Sequence, residues 1–170
     1  MKQVKLDTFG LLIVNSTATI FQKVYSEKDF DINSRFVIGS VSKSFTALSI
    51  LKLNISITDT LDKYGLNDYL DDKLLKELTV GELLNHTTGL DSFSREIVGK
   101  RGQFRYSNNG YALLGKIIEK VSGKTFNDYV KENIFDKLDM KNSWDKYSDH
   151  IIDNYTNFLG AKKKYGGKER

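Results

Sequence analysis

The hydrophobic pattern of the chain changes period near Ser40. Residues 9–25, FGLLIVNSTATIFQKVY, carry two strand-like runs flanking Asn15-Ser16-Thr17, and the second alternates in part through Ala18 and Ile20 before Phe21. Alternation sends side chains to opposite faces of a strand, so this stretch predicts a β-hairpin. From Ser40 onward, Phe45, Ala47, Leu48, Ile50 and Leu51 recur at helical spacing and predict one broad apolar face. Strands first and helices after predict an α+β fold, or one layer of an α/β sandwich.

The helical half carries its own punctuation. In LTVGELLNHTTGL (78–90), Thr79 can cap a helix and Glu82, three residues on, can reach back to it, with Gly89 suited to the exit. In NNGYALLGKIIEKVSG (108–123), Leu114, Ile117, Ile118 and Val121 form a stripe, and Gly123 stands where a C-terminal cap belongs. Thr125 then opens a further helix with Phe126, Tyr129, Val130 and Ile134 inward. The connection over 54–72 reads as Asp and Gly turns. Pro is absent from the whole chain, so Gly, Asn, Asp and Ser must set the loops.

Composition excludes several classes. A chain of 170 residues with 39% hydrophobic and 12% aromatic content can bury one real core. No apolar run is long enough to span a membrane, and no N-terminal stretch has the pattern of a signal peptide. Without Cys there is no disulfide framework and no thiolate metal site. The net charge of +4 is carried by KKKYGGKER at the C-terminus, which leaves residues 1–161 neutral. A nucleic-acid face needs basic charge spread over folded surface, so 162–170 reads as a basic flexible tail and no nucleic-acid partner is expected. The remainder reads as a single domain over residues 1–161.

IGSVSKSFTALS (38–49) is the stretch with chemical content. A Ser hydroxyl is a weak nucleophile until something takes its proton, and the chain has only His86 and His150 to offer as histidine bases. Ser40 and Lys43, three apart on a helix, share a face, and a Lys with a lowered pKa can accept a proton. A Ser at the helix mouth also turns its own N–H toward an anion, as one donor of an oxyanion hole. The plain alternative is a Ser cap beside an exposed Lys. FRYSNNGYALLG places Tyr106 and Asn108 before the clearest helix. The Lys43 ammonium would stabilise a Tyr106 phenolate, and Asn108 offers both donor and acceptor to a substrate amide. The alternative here is a loop Tyr with an Asn cap.

Taken in order, FGLLIVNSTATIFQKVY, FVIGSVSKSFTAL, LTVGELLNHTTGL and FRYSNNGYALLGKIIEKVSGKTFNDYVKENIFDKLDMKNS resemble the serine β-lactamase and penicillin-binding-protein superfamily, in its class C β-lactamase and D,D-peptidase/esterase-like branch. The resemblance implies a truncated α+β fold of the β-lactamase/transpeptidase type, with the N-terminal hairpin belonging to a sheet packed against a helical cluster. It implies Ser40 as nucleophile, Lys43 and Tyr106 as acid/base pair, and Asn108 as substrate contact. It implies acyl-enzyme chemistry on a β-lactam, a D-Ala-D-Ala peptide or an ester, with no cofactor or metal, and a family that is usually extracytoplasmic in bacteria.

The departures are equally specific. Family members commonly run to twice this length. Their third motif, a Lys/His-Thr/Ala-Gly triplet on a strand that supplies the second oxyanion donor, has no match after Tyr106. Lys124-Thr125 is preceded by Gly123 and followed by Phe126, and only 15 residues separate Leu90 from Tyr106. The domain is therefore expected to be incomplete at its C-terminal end, with an exposed sheet edge open to self-association. The competing reading is a weak or inactive fragment that serves as a binding or assembly partner. Three smaller features are set aside. SGKT (122–125) lacks the upstream Gly of a phosphate loop, since Ile118 stands there. His86 and Glu82 form an i, i+4 pair without a third ligand, and His150 is isolated. His86 reads as a structural residue under the nucleophile helix, and Trp144 as a packing residue.

Overall fold

The computed structural model describes residues 8–26, 30–143, 151–152, 154–158 and 161–165. The chain divides into two compact units, Met1–Gly39 with Asn142–Arg170, and Ser40–Lys141.

The first unit is built from strand pairs. β1 (Thr8–Val14) and β2 (Thr19–Ser26) are antiparallel, with Phe9 opposite Tyr25 and Leu12 opposite Gln22, and the register shifts between Ile13 and Val14. The hairpin expected over 9–25 is present. Its turn is set by Asn15, whose side-chain oxygen accepts from the Thr17 and Ala18 N–H groups at 2.9 and 2.7 Å, a local bond that Asn makes readily in turns. The Phe9 and Tyr25 rings stack across the pair at 4.6 Å. Successive residues of β1 face opposite ways, so Leu11 and Ile13 lie on one face and Leu12 and Val14 on the other. All four are exposed. β3 (Arg35–Phe36) pairs in parallel with β4 (Ile151–Ile152), and β5 (Asn154–Phe158) pairs antiparallel with β6 (Ala161–Tyr165). Lys162, Lys163 and Lys164, read from the sequence as the start of a tail, lie in β6. Trp144 and His150 fall outside the described residues.

The second unit is helical. A 3₁₀ turn (Gly39–Val41) leads into α1 (Ser42–Lys52). α2 (Asp72–Glu77) is capped by Asp71, whose side chain accepts from the Leu74 N–H. α3 (Val80–Leu84) begins in the capping box read from the sequence: Thr79 N–H donates to Glu82 at 2.9 Å and Glu82 N–H to the Thr79 hydroxyl at 3.3 Å. α4 (Asn108–Ser122) is capped by Ser107 and stops at Gly123, whose φ of +68° is a left-handed conformation that costs Gly little. α5 (Phe126–Val130) is capped by Thr125 and runs on into a π turn (Lys131–Phe135). None of the described helices is long and apolar enough to cross a membrane.

α4 is the centre of this unit, with α1, α3 and α5 against it. Leu114, Ile117 and Ile118 are fully buried, together with Ile50, Leu61, Leu66, Leu75, Leu83 and Leu90 from the surrounding elements. Val121, expected in the same stripe, is exposed. α1 is rotated relative to the face expected from its apolar residues. Thr46, Ser49 and Ile50 are buried, whereas Leu48 and Leu51 are exposed. Burial of Ser49 costs little because its hydroxyl donates to the Phe45 carbonyl at 2.8 Å. Lys43, Thr46 and Ile50 are spaced i, i+3 and i+7, so the rotation that buries Thr46 and Ile50 also carries Lys43 toward α4.

Candidate active site

Two polar segments of the helical unit meet: the entry to α1 and the residues leading into α4. Ser40 sits in the 3₁₀ turn ahead of α1 rather than as the first α-helical residue. The Ser40 hydroxyl lies 2.6 Å from the Tyr106 hydroxyl. Lys43 Nζ donates to Ser40 Oγ at 3.4 Å and to Asn108 Oδ1 at 2.8 Å, and stands 4.8 Å from the centroid of the Tyr106 ring. Lys is a pure donor, so the Asn108 atom facing it is the carbonyl oxygen, which leaves the amide NH₂ for another acceptor. All four residues anticipated from the sequence therefore converge. Asn108, anticipated as a contact to substrate, is here also a contact to Lys43.

Charge at this site is set by Lys43. Interaction with its ammonium, then the hydrogen bond with Ser40, pulls the Tyr106 phenol below its ordinary value, against a smaller opposing effect of burial. Phenolate is thereby favoured at Tyr106 next to a hydroxyl that can donate to it. The group of four is open to solvent: Tyr106 is 41% exposed, and Ser40 and Asn108 are exposed as well.

The segment 105–108 is held by residues that the sequence did not single out for this purpose. Ser92 Oγ donates to the Tyr106 carbonyl at 2.9 Å and accepts from the Asn108 N–H at 3.3 Å. Ser107, buried, accepts from the Gly110 N–H and donates to the Asp91 carbonyl, both at 3.0 Å. The cap of α4 is thus Ser107 and not Asn108. His86 bonds to Ser107 from beneath this segment, where the sequence suggested a place under the nucleophile helix. Isolated Ser and His residues in loops carry no periodic signal, and only their neighbourhood in space marks them.

The loop between Leu90 and Tyr106 is fastened to α3 and to the turn that follows it. Arg101 forks onto Glu82, with Nε to Oε1 at 2.5 Å and the second arm to Oε2 at 2.9 Å, and also reaches the Glu77 carbonyl. The Gly102 N–H donates to the Thr87 carbonyl at 2.8 Å, and the Val98 and Gly99 N–H groups both donate to Gly89 at 3.0 Å. Gly89 has φ +79°, and a Cβ there would lie 2.3 Å from the Gly99 oxygen, so the close approach requires glycine.

The chain is similar to several known proteins. Penicillin-binding protein 4* of Bacillus subtilis is 31% identical in a match that covers 68% of this chain and 31% of the relative. The octameric penicillin-binding protein homologue of Pyrococcus abyssi superposes with a TM-score of 0.70 at 26% identity, covering 93% of this chain and 46% of that one. A class C β-lactamase superposes with a TM-score of 0.73 at 19% identity, over 93% of this chain and 51% of the other, a likeness of fold. The chain therefore spans about a third of the curated relative's length and about half of each solved chain. The Beta-lactamase family model matches residues 4–159, a span that includes both the Ser40 turn and the Tyr106 segment, and the chain belongs to that family.

Proposed function

We propose that the chain carries the acylating centre of a serine hydrolase, with Ser40 as nucleophile and Tyr106 as the group that takes its proton. The observation that carries this reading is the 2.6 Å contact between the two hydroxyls, with the Lys43 ammonium beside both. Ser40 Oγ attacks the substrate carbonyl carbon as its proton passes to the Tyr106 phenolate. Lys43 eases ionisation of Tyr106 before the transfer and offsets negative charge during it. The Ser40 N–H serves as one oxyanion donor. The tetrahedral intermediate collapses as the C–N or C–O bond breaks, Tyr106 returns its proton to the leaving group, and an ester at Ser40 remains for water to hydrolyse. The Asn108 NH₂ holds the substrate's amide carbonyl.

Kinship with penicillin-binding proteins and the fold of a class C β-lactamase support a β-lactam, a D-Ala-D-Ala peptide or a related ester as substrate. Convergence of a nucleophile, a cation, a phenol and an amide supports turnover over a purely binding role. The test is labelling with a fluorescent penicillin and a p-nitrophenyl phosphonate ester, read by intact mass. A single covalent adduct on the wild-type chain that is lost in Ser40→Ala is expected. Equal labelling of both proteins rules the assignment out.

A further inference from the structure

We infer that His86 is the positioning residue for Tyr106, and that it performs this role only as the neutral imidazole. The inference rests on the reading of Tyr106 as proton acceptor. Its basis is a clamp on both flanks of that residue. The His86 carbonyl accepts from the Arg105 N–H at 2.7 Å, and His86 Nδ1 accepts from the Ser107 N–H at 3.2 Å. Between these two bonds the imidazole lies against the Tyr106 ring, with centroids 4.6 Å apart and planes tilted by 36°. Tyr111 flanks it at 4.9 Å and Phe104 edge-on at 5.9 Å. One residue thus fixes the backbone before Tyr106, the backbone after it and the plane of its ring.

The backbone of His86 is itself unusual. Its φ of +58° lies in the left-handed region, which a residue with a side chain adopts only where its surroundings impose it. That conformation lets carbonyl and imidazole engage the same strand of chain. Tyr111, in the first turn of α4, donates its hydroxyl to the Leu84 carbonyl at 3.0 Å.

An imidazole nitrogen that accepts a hydrogen bond carries no proton, so the neutral ring holds its proton on Nε2. Protonating Nδ1 turns the acceptor into a donor that faces the Ser107 N–H. Burial of the ring and the Lys43 charge oppose this, while a Tyr106 phenolate beside it would favour it. Lys43 faces it from α1, and the Tyr106 and Tyr111 phenols flank it from the α4 side. Glu82 on α3, which ends before His86, is engaged by Arg101, and Arg105 lies 3.9 Å from Asp91. Burial first, and the Lys43 charge second, push the His86 pKa down, so the clamp holds through neutral pH and opens in acid.

The test compares His86→Asn with His86→Ala. Asn accepts the left-handed backbone better than most residues, places Oδ1 near the position of Nδ1, and cannot be protonated. Two readouts are taken across pH: the rate of Ser40 labelling by the phosphonate ester, and the Tyr106 phenol titration by ultraviolet difference against Tyr106→Phe. For wild type, labelling is expected to fall in acid with an apparent pKa matching that of His86 by proton NMR. His86→Asn, which restores the acceptor but not the ring, is expected to lose less of the neutral rate than His86→Ala and to lose that component of the acid fall. His86→Ala is expected to slow labelling about 10²-fold, the scale of a displaced catalytic group, and to return the Tyr106 phenol toward its ordinary value. Wild-type labelling by His86→Ala overturns the inference, as does loss in His86→Asn equal to that in His86→Ala, or an acid component that survives in His86→Asn. If wild type does not label, the hydrolase reading fails by itself. The Tyr106 titration then decides: an unchanged phenol in His86→Ala overturns the positioning role, and a phenol displaced in His86→Ala but preserved in His86→Asn sustains it.

Discussion

Sixty-six residues separate Ser40 from Tyr106 in sequence, and 2.6 Å separates their hydroxyl oxygens. The contact is made by two short elements with separate supports, the turn that opens α1 and the segment that opens α4. Lys43 adds a positive charge close to both.

That charge gives the site a pH signature. The Tyr106 phenol is depressed by Lys43 and Ser40, and in the proposed role of acceptor it would act as phenolate. Labelling of Ser40 should therefore rise as pH climbs through the depressed value and level off above it. Lys43→Ala should move the rise upward toward the free phenol value of about 10 and slow labelling at pH 7 by about 10²–10⁴-fold. A labelling series from pH 5 to 10, with intact mass at each time point, measures both. A Lys43→Ala profile that coincides with wild type would show that Lys43 has no part in the proton transfer.

The Thr79–Glu82–Arg101 cluster makes a separate prediction about stability. Burial pushes the Glu82 carboxyl up, but Arg101 and the Thr79 N–H and hydroxyl outweigh it and hold the group below its usual range. A depressed folded-state pKa means stability that is fully present above the ordinary Glu value of about 4.3 and lost as pH falls through the lower one. Thr79→Ala should cost about 0.5–2 kcal/mol, as loss of a helix cap does. Glu82→Gln should lower Tm at pH 7 and flatten its decline in acid. Thermal melts by circular dichroism at pH 3–7 provide the check, and an acid slope identical to wild type in Glu82→Gln would remove Glu82 from this account.

Gly89→Ala should be among the most damaging single methyl additions in the helical unit. The added carbon meets the Gly99 oxygen at 2.3 Å and the backbone is held at φ +79°, a combination costing at least about 1–3 kcal/mol. Because Gly89 accepts two N–H groups from the loop that leads to Tyr106, labelling should fall together with Tm. Gly123→Ala, at the end of α4 with open space around it, should cost less and leave labelling nearly intact.

The β1–β2 hairpin supports self-association. Leu12, Val14 and Ile20 are 60%, 58% and 64% exposed, and Leu11 and Ile13 show on the opposite face. Among the described residues this sheet has two strands, and a two-stranded sheet offers unpaired edges as well as apolar faces. Sedimentation of the chain should show concentration-dependent species above monomer, reduced in a Leu12→Lys, Ile20→Lys variant. A monomer at all concentrations tested would remove the proposal.

Much of the backbone plan was legible in the sequence because local chemistry specifies it. Asn15 turns the hairpin through its own side chain, Thr79 and Glu82 satisfy each other, and Gly123 ends α4 where the apolar stripe runs out. The rotation of α1 was not legible, because the pattern counts Leu48 and Leu51 as inward while the buried face is formed by Thr46, Ser49 and Ile50. A serine whose hydroxyl is satisfied within its own helix buries as readily as an apolar residue, and no periodicity reports this. The approach of Ser40 to Tyr106 was legible only through the order of motifs that resemble a family. Ser92, Ser107 and His86 act by hydrogen bonds between segments distant in sequence, which leave no trace in composition or spacing.

The fastening of the loop between Leu90 and Tyr106 separates two kinds of mutational freedom. Asp91, Arg101 and Gly102 are tied down, while Phe93 and Phe104 stand 89% and 74% exposed between the ties. Variation at Phe93 can change this surface while the ties stay in place, whereas Phe104 also packs edge-on against His86. A lineage carrying this loop can therefore try new surface chemistry at position 93 while the fastened residues keep the segment before α4 in place.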